Sequence, residues 1–391
     1  MHIFLSAGEP SGDLHGSNLL GALQARLPEI ECVGYGGARM DAKGCRLLFP
    51  LAETPVMWFR DVFSNIRTFF RLVDQADQYF RDHRPDAVVL IDYPGLHWWL
   101  AKRAYQRGIP VFYFVPPQLW AWAGWRVRKM RRFVDHVLCT LPFEKEWYSQ
   151  RGVAAHYVGH PYFDELSEKR LDTSFIQEHS AKPGRIVAIL PGSRKQELDY
   201  NLASQLRAAE ILQKQFPDIR FLAAAFNDEQ RSHVVEAAQR LPIQIEAFSG
   251  RTAEIIHLAN VCMAVSGSVG LELLDAAVPS VVLYRLHRVG SLLQRCLRTS
   301  RWISLVNLLA NEELFPEYLA RKCPADAMAL RLAHWLSDEN ACICVREKLA
   351  HLKSAVAQPG ACDRAAEFIL RRMRSPANRQ PALAISTGIP R

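Results

Sequence analysis

Short apolar runs, rich in β-branched and aromatic residues, alternate with helix-length segments along most of this 391-residue chain. The first series is "IFLSA" (3–7), "ECVGYGG" (31–37), "DAVVLID" (86–92), "PVFYFV" (110–115), "HVLCTL" (136–141) and "AHYVGH" (155–160). Helical patterns lie between them, from about Asp13 to Arg26 and near 95–107. Runs apolar on both faces are what strands covered by helices on both sides require, so the pattern predicts a parallel α/β sheet. A polar stretch, residues 164–184, interrupts the series. It resumes with "RIVAILPGS" (185–193), "IRFLAAA" (219–225), "IQIEAF" (243–248), "VCMAVSG" (261–267) and "SVVLYR" (280–285). Two Rossmann-like domains are therefore expected, 1–165 and 166–345, facing a cleft at the C-terminal ends of their strands. Residues 346–374 are expected as C-terminal helices packing back on the N-terminal domain or exchanged in a dimer, and the proline-rich, polar stretch 375–391 as a disordered tail.

Composition narrows the partners. A formal net charge of +8 suits nucleic acid, an acidic membrane surface or phosphorylated substrates. Nine scattered cysteines, with no C-x-x-C pair, argue against a zinc site or a disulfide framework and for free thiols in a reducing cytosol. Met1-His2 runs straight into a strand, so no signal peptide is read. No apolar run reaches about 18 residues, the length of a membrane span. Any membrane contact is expected to be peripheral.

Five stretches carry candidate chemistry. In "LPGSRKQEL" (190–198) a strand runs into Gly192, Ser193 and Arg194 before a helix begins. Backbone N–H groups at a helix start favour anions, and arginine grips phosphate with paired hydrogen bonds. An ordinary β–α turn with a capping serine accounts for the same residues, and the P-loop spacing is absent. In "SGSVGLELL" (266–274), Ser266, Gly267 and Ser268 would admit a ligand close to the backbone. Glu272, one turn on, could accept both ribose hydroxyls or simply complement the helix dipole. Asp92, at the end of "VVLID", is a general-base candidate or a helix-capping aspartate. Trp120, Trp122 and Trp125 precede Arg126, Arg128, Lys129, Arg131 and Arg132, which suits base stacking, a membrane interface, an anion pocket or a plain cationic helix face. Asn307 stands in an apolar run, as a structural polar plug or a ligand contact. Two amphipathic segments, 58–73 and 285–302, flank apolar stripes with arginines, as peripheral binding to an anionic bilayer or core packing would both require.

The motifs in this order resemble the lipid-A-disaccharide synthase family over nearly the whole chain. The matching pieces are "AGEPSGDLHG" (7–16), "GYGGARMDAKGC" (34–45), "PQLWAWAGWRVRKM" (117–130), "LPFEKEWY" (141–148), "VGHPYFD" (158–164), "LPGSRKQEL", "SGSVGLELL" and "ISLVNLLANEELFPEYL" (303–319). The resemblance implies a GT-B glycosyltransferase. It implies inverting transfer of 2,3-diacylglucosamine from its UDP derivative onto 2,3-diacylglucosamine 1-phosphate (lipid X), without a metal or other cofactor. It further implies a cytoplasmic protein, peripheral on the inner face of the inner membrane, with a homodimer of exchanged C-terminal segments known in the family. No nucleic-acid partner is expected, because the basic cluster has no recognisable nucleic-acid module around it. Asp92 matches the family's candidate base. Gly192, Ser193, Arg194, Ser266, Gly267, Ser268, Glu272 and Asn307 match its UDP-sugar side. Another UDP-sugar transferase or epimerase of GT-B type, or a lipid-binding protein without catalysis, are the rival readings.

That assignment also accounts for the acidic loop "SAGEPSGDLHG". With the diphosphate at "LPGSR", the N-terminal loop is read as facing sugar and acceptor, Glu9 joining Asp92 in the chemistry. Gly8, Ser11, Gly12, Asp13 and Trp120 are then expected on the acceptor side. The chain departs from the family where many members read Asp-x-Pro-Asp-Phe-Asn and it reads Asp92-Tyr93-Pro94-Gly95-Leu96-His97. It is also bulkier at "VMWFRDVF" (56–63) and reads "VPPQLWAW" (115–122) for Val-Ser-Pro-x-x-Trp-Ala-Trp.

Overall fold

The structure is a computed structural model that describes residues 1–53, 62–121, 123–193, 195–285, 300–320 and 323–374. Arg194, Trp122, segment 54–61, most of the second amphipathic segment (286–299) and the tail 375–391 lie outside the described residues. The chain divides into two compact units, one of Met1–Asp164 with Gln358 onward, the other of Glu165–Ala357. The helix Glu339–Val356 therefore stays with the second unit, and only Ala361–Arg374 returns to the first.

The first unit is a seven-stranded parallel sheet of β1 (His2–Ala7), β2 (Glu31–Tyr35), β3 (Arg46–Phe49), β4 (Ala87–Ile91), β5 (Val111–Phe114), β6 (His136–Cys139) and β7 (Ala155–Tyr157). Their order is β3-β2-β1-β4-β5-β6-β7. β1, β4 and β5 are almost wholly buried, which explains their uninterrupted apolar sequences. Helices α1 (Pro10–Arg26), α2 (Ala38–Ala42), α3 (Val62–His83), α4 (Pro94–Gln106), α5 (Val127–Phe133) and α6 (Pro142–Ser149) connect the strands. α1 starts three residues before the predicted Asp13, because Pro10 supplies the fixed φ of a first helical residue and Glu9 stands before it in extended conformation.

The return of the chain is pinned by one side chain. Asp164 accepts hydrogen bonds from Gly360 N (2.6 Å), Ala361 N (3.0 Å) and Cys362 N (2.8 Å), the open N–H groups at the start of Ala361–Arg374. A carboxylate capping a helix this way contributes about 1–2 kcal/mol. The helix then buries Ala365, Ala366 and Ile369 in the same cluster as Leu19, Leu20 and Leu23 of α1. Arg26 and Asp363 pair at the rim.

The second unit holds six parallel strands, β8 (Ile186–Leu190), β9 (Arg220–Ala225), β10 (Ile245–Ser249), β11 (Val261–Val265), β12 (Ser280–Arg285) and β13 (Glu317–Ala320). Their order is β10-β9-β8-β11-β12-β13. Its core joins Val187, Ile189, Phe221, Met263 and Val281 to Leu202, Leu206 and Leu212 of the helix Lys195–Gln215 and Leu332 of Ala325–Ser337. The edge strands β3 and β13 were not read from sequence. Each is only four residues long and is flanked by a proline or by charge, so neither carries the long apolar signature of a central strand.

Candidate active site

In each unit the strand order reverses at one point, and there the loops leaving two adjacent strands open a crevice at the sheet's carboxyl edge. In the first unit that point lies between β1 and β4, paired in register from Ile3↔Ala87 to Ala7↔Ile91. The loop after β1 delivers Gly8 and Glu9, and the loop after β4 delivers Asp92. Residues 83 apart in sequence are thereby neighbours. Burial, and next the charge of Glu9, push the Asp92 carboxyl up to about 6; a hydrogen bond from the Tyr93 N–H opposes them. Glu9 precedes α1, but its side chain does not cap the helix; only its carbonyl is engaged, by Asp13 N at 2.8 Å.

The backbone at Asp92 is unusual. Asp92 (φ 54°) and Tyr93 (φ 51°) are both left-handed, as are Val115 and Ala123 in the next loop. Such conformations cost non-glycine residues on the order of 1–3 kcal/mol each and persist only where surroundings enforce them. Here the Asp92 carbonyl accepts two hydrogen bonds, from Tyr113 OH at 2.7 Å and His97 Nδ1 at 2.5 Å. The Tyr93 ring covers Gly8: a Cβ there would sit 2.2 Å from two ring carbons.

Several expected acceptor-side residues have structural partners within the first unit. Gly8 makes room for Tyr93 in this structure. Gly12 is buried, and an added Cβ would meet Ala7 and Ile91 at ordinary contact distance, so α1 packs on the sheet there with room for a methyl group. Asp13 is buried, its carboxylate accepting from Gly37 N (2.7 Å), Arg39 N (3.1 Å) and Met40 N (3.2 Å) at the start of α2. Ser11 is exposed on the first turn of α1. Trp120 is half-buried and donates its Nε1–H to Glu144 Oε1 at 3.0 Å. Glu144 also accepts from Thr140 N and Leu141 N, and burial holds its carboxyl up at about 7 against those bonds.

The second unit reverses between β8 and β11, registered from Val261↔Val187 to Ala264↔Leu190. The loops leaving these strands are the two predicted UDP-sugar stretches, Gly192-Ser193 and Ser266-Gly267-Ser268. Topology thus brings together segments 74 residues apart, counting from Gly192 to Ser266. Gln205, fully buried, donates its amide to the carbonyls of Leu190 (3.3 Å) and Met263 (3.2 Å) and ties the two strands together. Gly192 has φ 107°, open only to glycine without strain. Gly267 and Ser268 are exposed, a Cβ on Gly267 would meet nothing within 4 Å, and the Ser268 side chain caps nothing. Glu272 is largely buried and pairs with Lys169 Nζ at 3.2 Å.

Asn307 answers to its structural reading. It is fully buried, donating to Phe315 O (2.6 Å) and Glu317 Oε1 (3.0 Å) and accepting from Leu314 N (2.9 Å) and Phe315 N (2.8 Å). Both amide hydrogens and both lone pairs are spent, so the side chain locks the strand approaching β13. Nothing local in the sequence singles out Ser6, Tyr113, Glu144 or Gln205, and His97 stands out only as a departure from the family pattern. A histidine one turn into a helix, on an otherwise apolar stretch, was the available signal. Among the described residues no group of three or more His, Cys, Asp or Glu is placed to hold a metal, and no helix is long and apolar enough to cross a membrane.

Two parallel-sheet units, each with its loops gathered at the switch point, define the GT-B class. The chain superposes with a TM-score of 0.67 on the S. aureus MnaA–UDP co-structure (12% identity, 95% of this chain, 96% of that one). On the glycotransferase of kitacinnamycin the TM-score is 0.61 (15% identity, 95% and 98%). At sequence level, the family described as Lipid-A-disaccharide synthetase matches residues 3–370. Lipid-A-disaccharide synthases of Myxococcus xanthus (33% identical; 94% of this chain, 96% of the relative) and Aromatoleum aromaticum (34%; 87% and 88%) are among its relatives. The chain belongs to the lipid-A-disaccharide synthase family, a family of glycosyltransferases of lipid A biosynthesis.

Proposed function

We propose that this chain transfers 2,3-diacylglucosamine from UDP-2,3-diacylglucosamine to lipid X with inversion, releasing lipid A disaccharide 1-phosphate and UDP. The observation that carries the reading is the Asp92 carboxyl at the first unit's switch point, raised to about 6 by burial and Glu9. A carboxylate titrating there is ionised at neutral pH yet basic enough to accept a proton. Asp92 takes the proton of the acceptor hydroxyl, the freed oxygen attacks the anomeric carbon, and the bond to the β-phosphate oxygen breaks. Glu9, beside it, keeps the base strong and binds the sugar. The negative charge arriving on UDP meets the backbone N–H groups of the Gly192-Ser193 and Ser266-Gly267-Ser268 loops and Arg194, with no metal needed. Glu272 takes the ribose.

Both substrates carry acyl chains, and the same reading places the protein on the cytoplasmic face of an anionic inner membrane. Support comes from Ile66, Phe70 and Trp99, each at least 40% exposed, with Trp99 5.8 Å from the Phe70 ring and Arg67 and Arg71 beside them. A homodimer of exchanged C-terminal segments belongs to the same reading, and sedimentation of the detergent-solubilised protein tests it.

The deciding assay incubates purified protein with UDP-2,3-diacylglucosamine and lipid X in detergent micelles containing a chelator. Disaccharide and UDP in equal amounts are expected. No product overturns the reaction; product only after adding a divalent metal overturns the metal-free mechanism.

A further inference from the structure

We infer that His97 is a positioning residue for this reaction: through a Ser6–His97–Asp92 hydrogen-bond relay it holds the Asp92 backbone in the left-handed turn that presents the carboxylate. This rests on Asp92 being the base. His97 sits one turn into α4 and, like Ser6 in β1, is fully buried. Its Nδ1 lies 2.5 Å from the Asp92 carbonyl, and its Nε2 lies 2.9 Å from Ser6 Oγ. A carbonyl only accepts, so Nδ1 carries the proton. Burial drives the imidazole pKa down to about 3, so the ring is neutral and Nε2 is a bare acceptor. Ser6 OH therefore donates to it. One strand of the switch point, β1, thereby fixes the turn leaving the other, β4.

Tyr113 OH donates to the same carbonyl from β5, and the rings of Tyr93 and Tyr113 stand edge-on to His97 at 5.8 and 5.9 Å. Glu9 is the charged group facing Asp92. With two donors on one carbonyl, the peptide after Asp92 cannot rotate without leaving a buried N–H unsatisfied. Neither His97 nitrogen is free to touch substrate, which separates its role from catalysis.

Side-chain geometry supplies the test. The asparagine amide nitrogen reaches the place of Nδ1, and the glutamine amide reaches that of Nε2. His97→Leu and His97→Gln should lower kcat by roughly 10- to 100-fold, with the KM for the UDP-sugar unchanged and the acidic limb of the rate profile moved to lower pH as Asp92 relaxes towards solvent. His97→Asn should recover most of the loss. Thermal melts and circular dichroism establish that each variant is folded. Folded His97→Leu with wild-type kcat and acidic limb overturns the inference, as does an equal loss in His97→Asn and His97→Leu. Nitrogen-15 NMR of histidine-labelled protein gives a substrate-free readout: a neutral Nδ1–H tautomer is expected, and an Nε2–H tautomer overturns the relay. Failure of the inference is distinct from failure of the proposed function. An active Asp92→Asn removes the base itself, whereas an inactive Asp92→Asn beside a fully active His97→Leu removes only the relay.

Discussion

The two units build their switch points from the same topology and furnish them in opposite ways. In the first, the loops are crowded: Tyr93 lies on Gly8, two successive residues are left-handed, and a carboxyl is kept partly dry beside a second one. In the second, the loops are bare: Gly267 faces open space, Ser268 caps nothing, and the chain turns on a glycine at φ 107°. Each is braced by a buried polar side chain that bonds backbone carbonyls of the switch-point strands and turns, His97 in one and Gln205 in the other. Under the proposed function one topology serves two chemistries: crowding and desolvation raise a base in the first unit, and glycine–serine loops at a helix start receive an anion in the second.

Five substitutions strain that comparison. Asp92→Asn should reduce kcat by ~10²- to 10⁴-fold while leaving UDP affinity, measured calorimetrically, within twofold. Its stability should move the other way. The carboxyl is raised from 3.8 to about 6, so the folded state holds its proton longer than the unfolded chain, and wild-type stability declines as pH rises through that window. The variant lacks the decline. It should be more stable than wild type above pH 6, by on the order of 3 kcal/mol, and converge with it below pH 4.

Gly192→Ala places a side chain at a φ that costs roughly 1–3 kcal/mol. Weakened UDP binding of about 10- to 100-fold is expected, with the acidic limb of the rate profile unmoved; a shifted limb would mean the two crevices are not chemically separate. Gly8→Ala forces the Tyr93 ring aside and should destabilise the protein by about 1–3 kcal/mol. Gly267→Ala should leave the melting temperature alone, and equal melting losses in the two variants would erase the contrast between crowded and bare loops. Glu9→Gln is expected to act on the base alone. Removing that charge removes a push upward on Asp92, so the acidic limb near pH 6 should move down, with UDP affinity untouched; an upward or absent shift would falsify the coupling.

The central strands were legible because burial on both faces writes itself into uninterrupted apolar runs, and the glycine–serine loops because they directly follow such runs. Asp92 and Glu9 were legible as strand-end carboxylates. Their pairing came from the resemblance, since nothing local in the sequence brings β1 beside β4. The brace was not legible. His97 looked like the loss of a family residue, because its partners are a carbonyl and a hydroxyl on other strands, and a carbonyl leaves no trace in a residue's identity. Asp13 and Asn307 were assigned to ligands for the converse reason. A polar side chain in an apolar or glycine-rich setting reads the same whether it meets a substrate or backbone N–H groups.

The Asp164 clasp has a consequence on the ribosome. Its partners at Gly360, Ala361 and Cys362 lie 196 to 198 residues downstream. At a synthesis rate of roughly 5–20 residues per second they emerge about 10–40 s after Asp164. Throughout that interval the face of α1 carrying Leu19, Leu20 and Leu23 has no covering helix, while the whole second unit is being made. The first unit to begin is thus the last to finish, and its nascent half is where holdase chaperones should bind during translation.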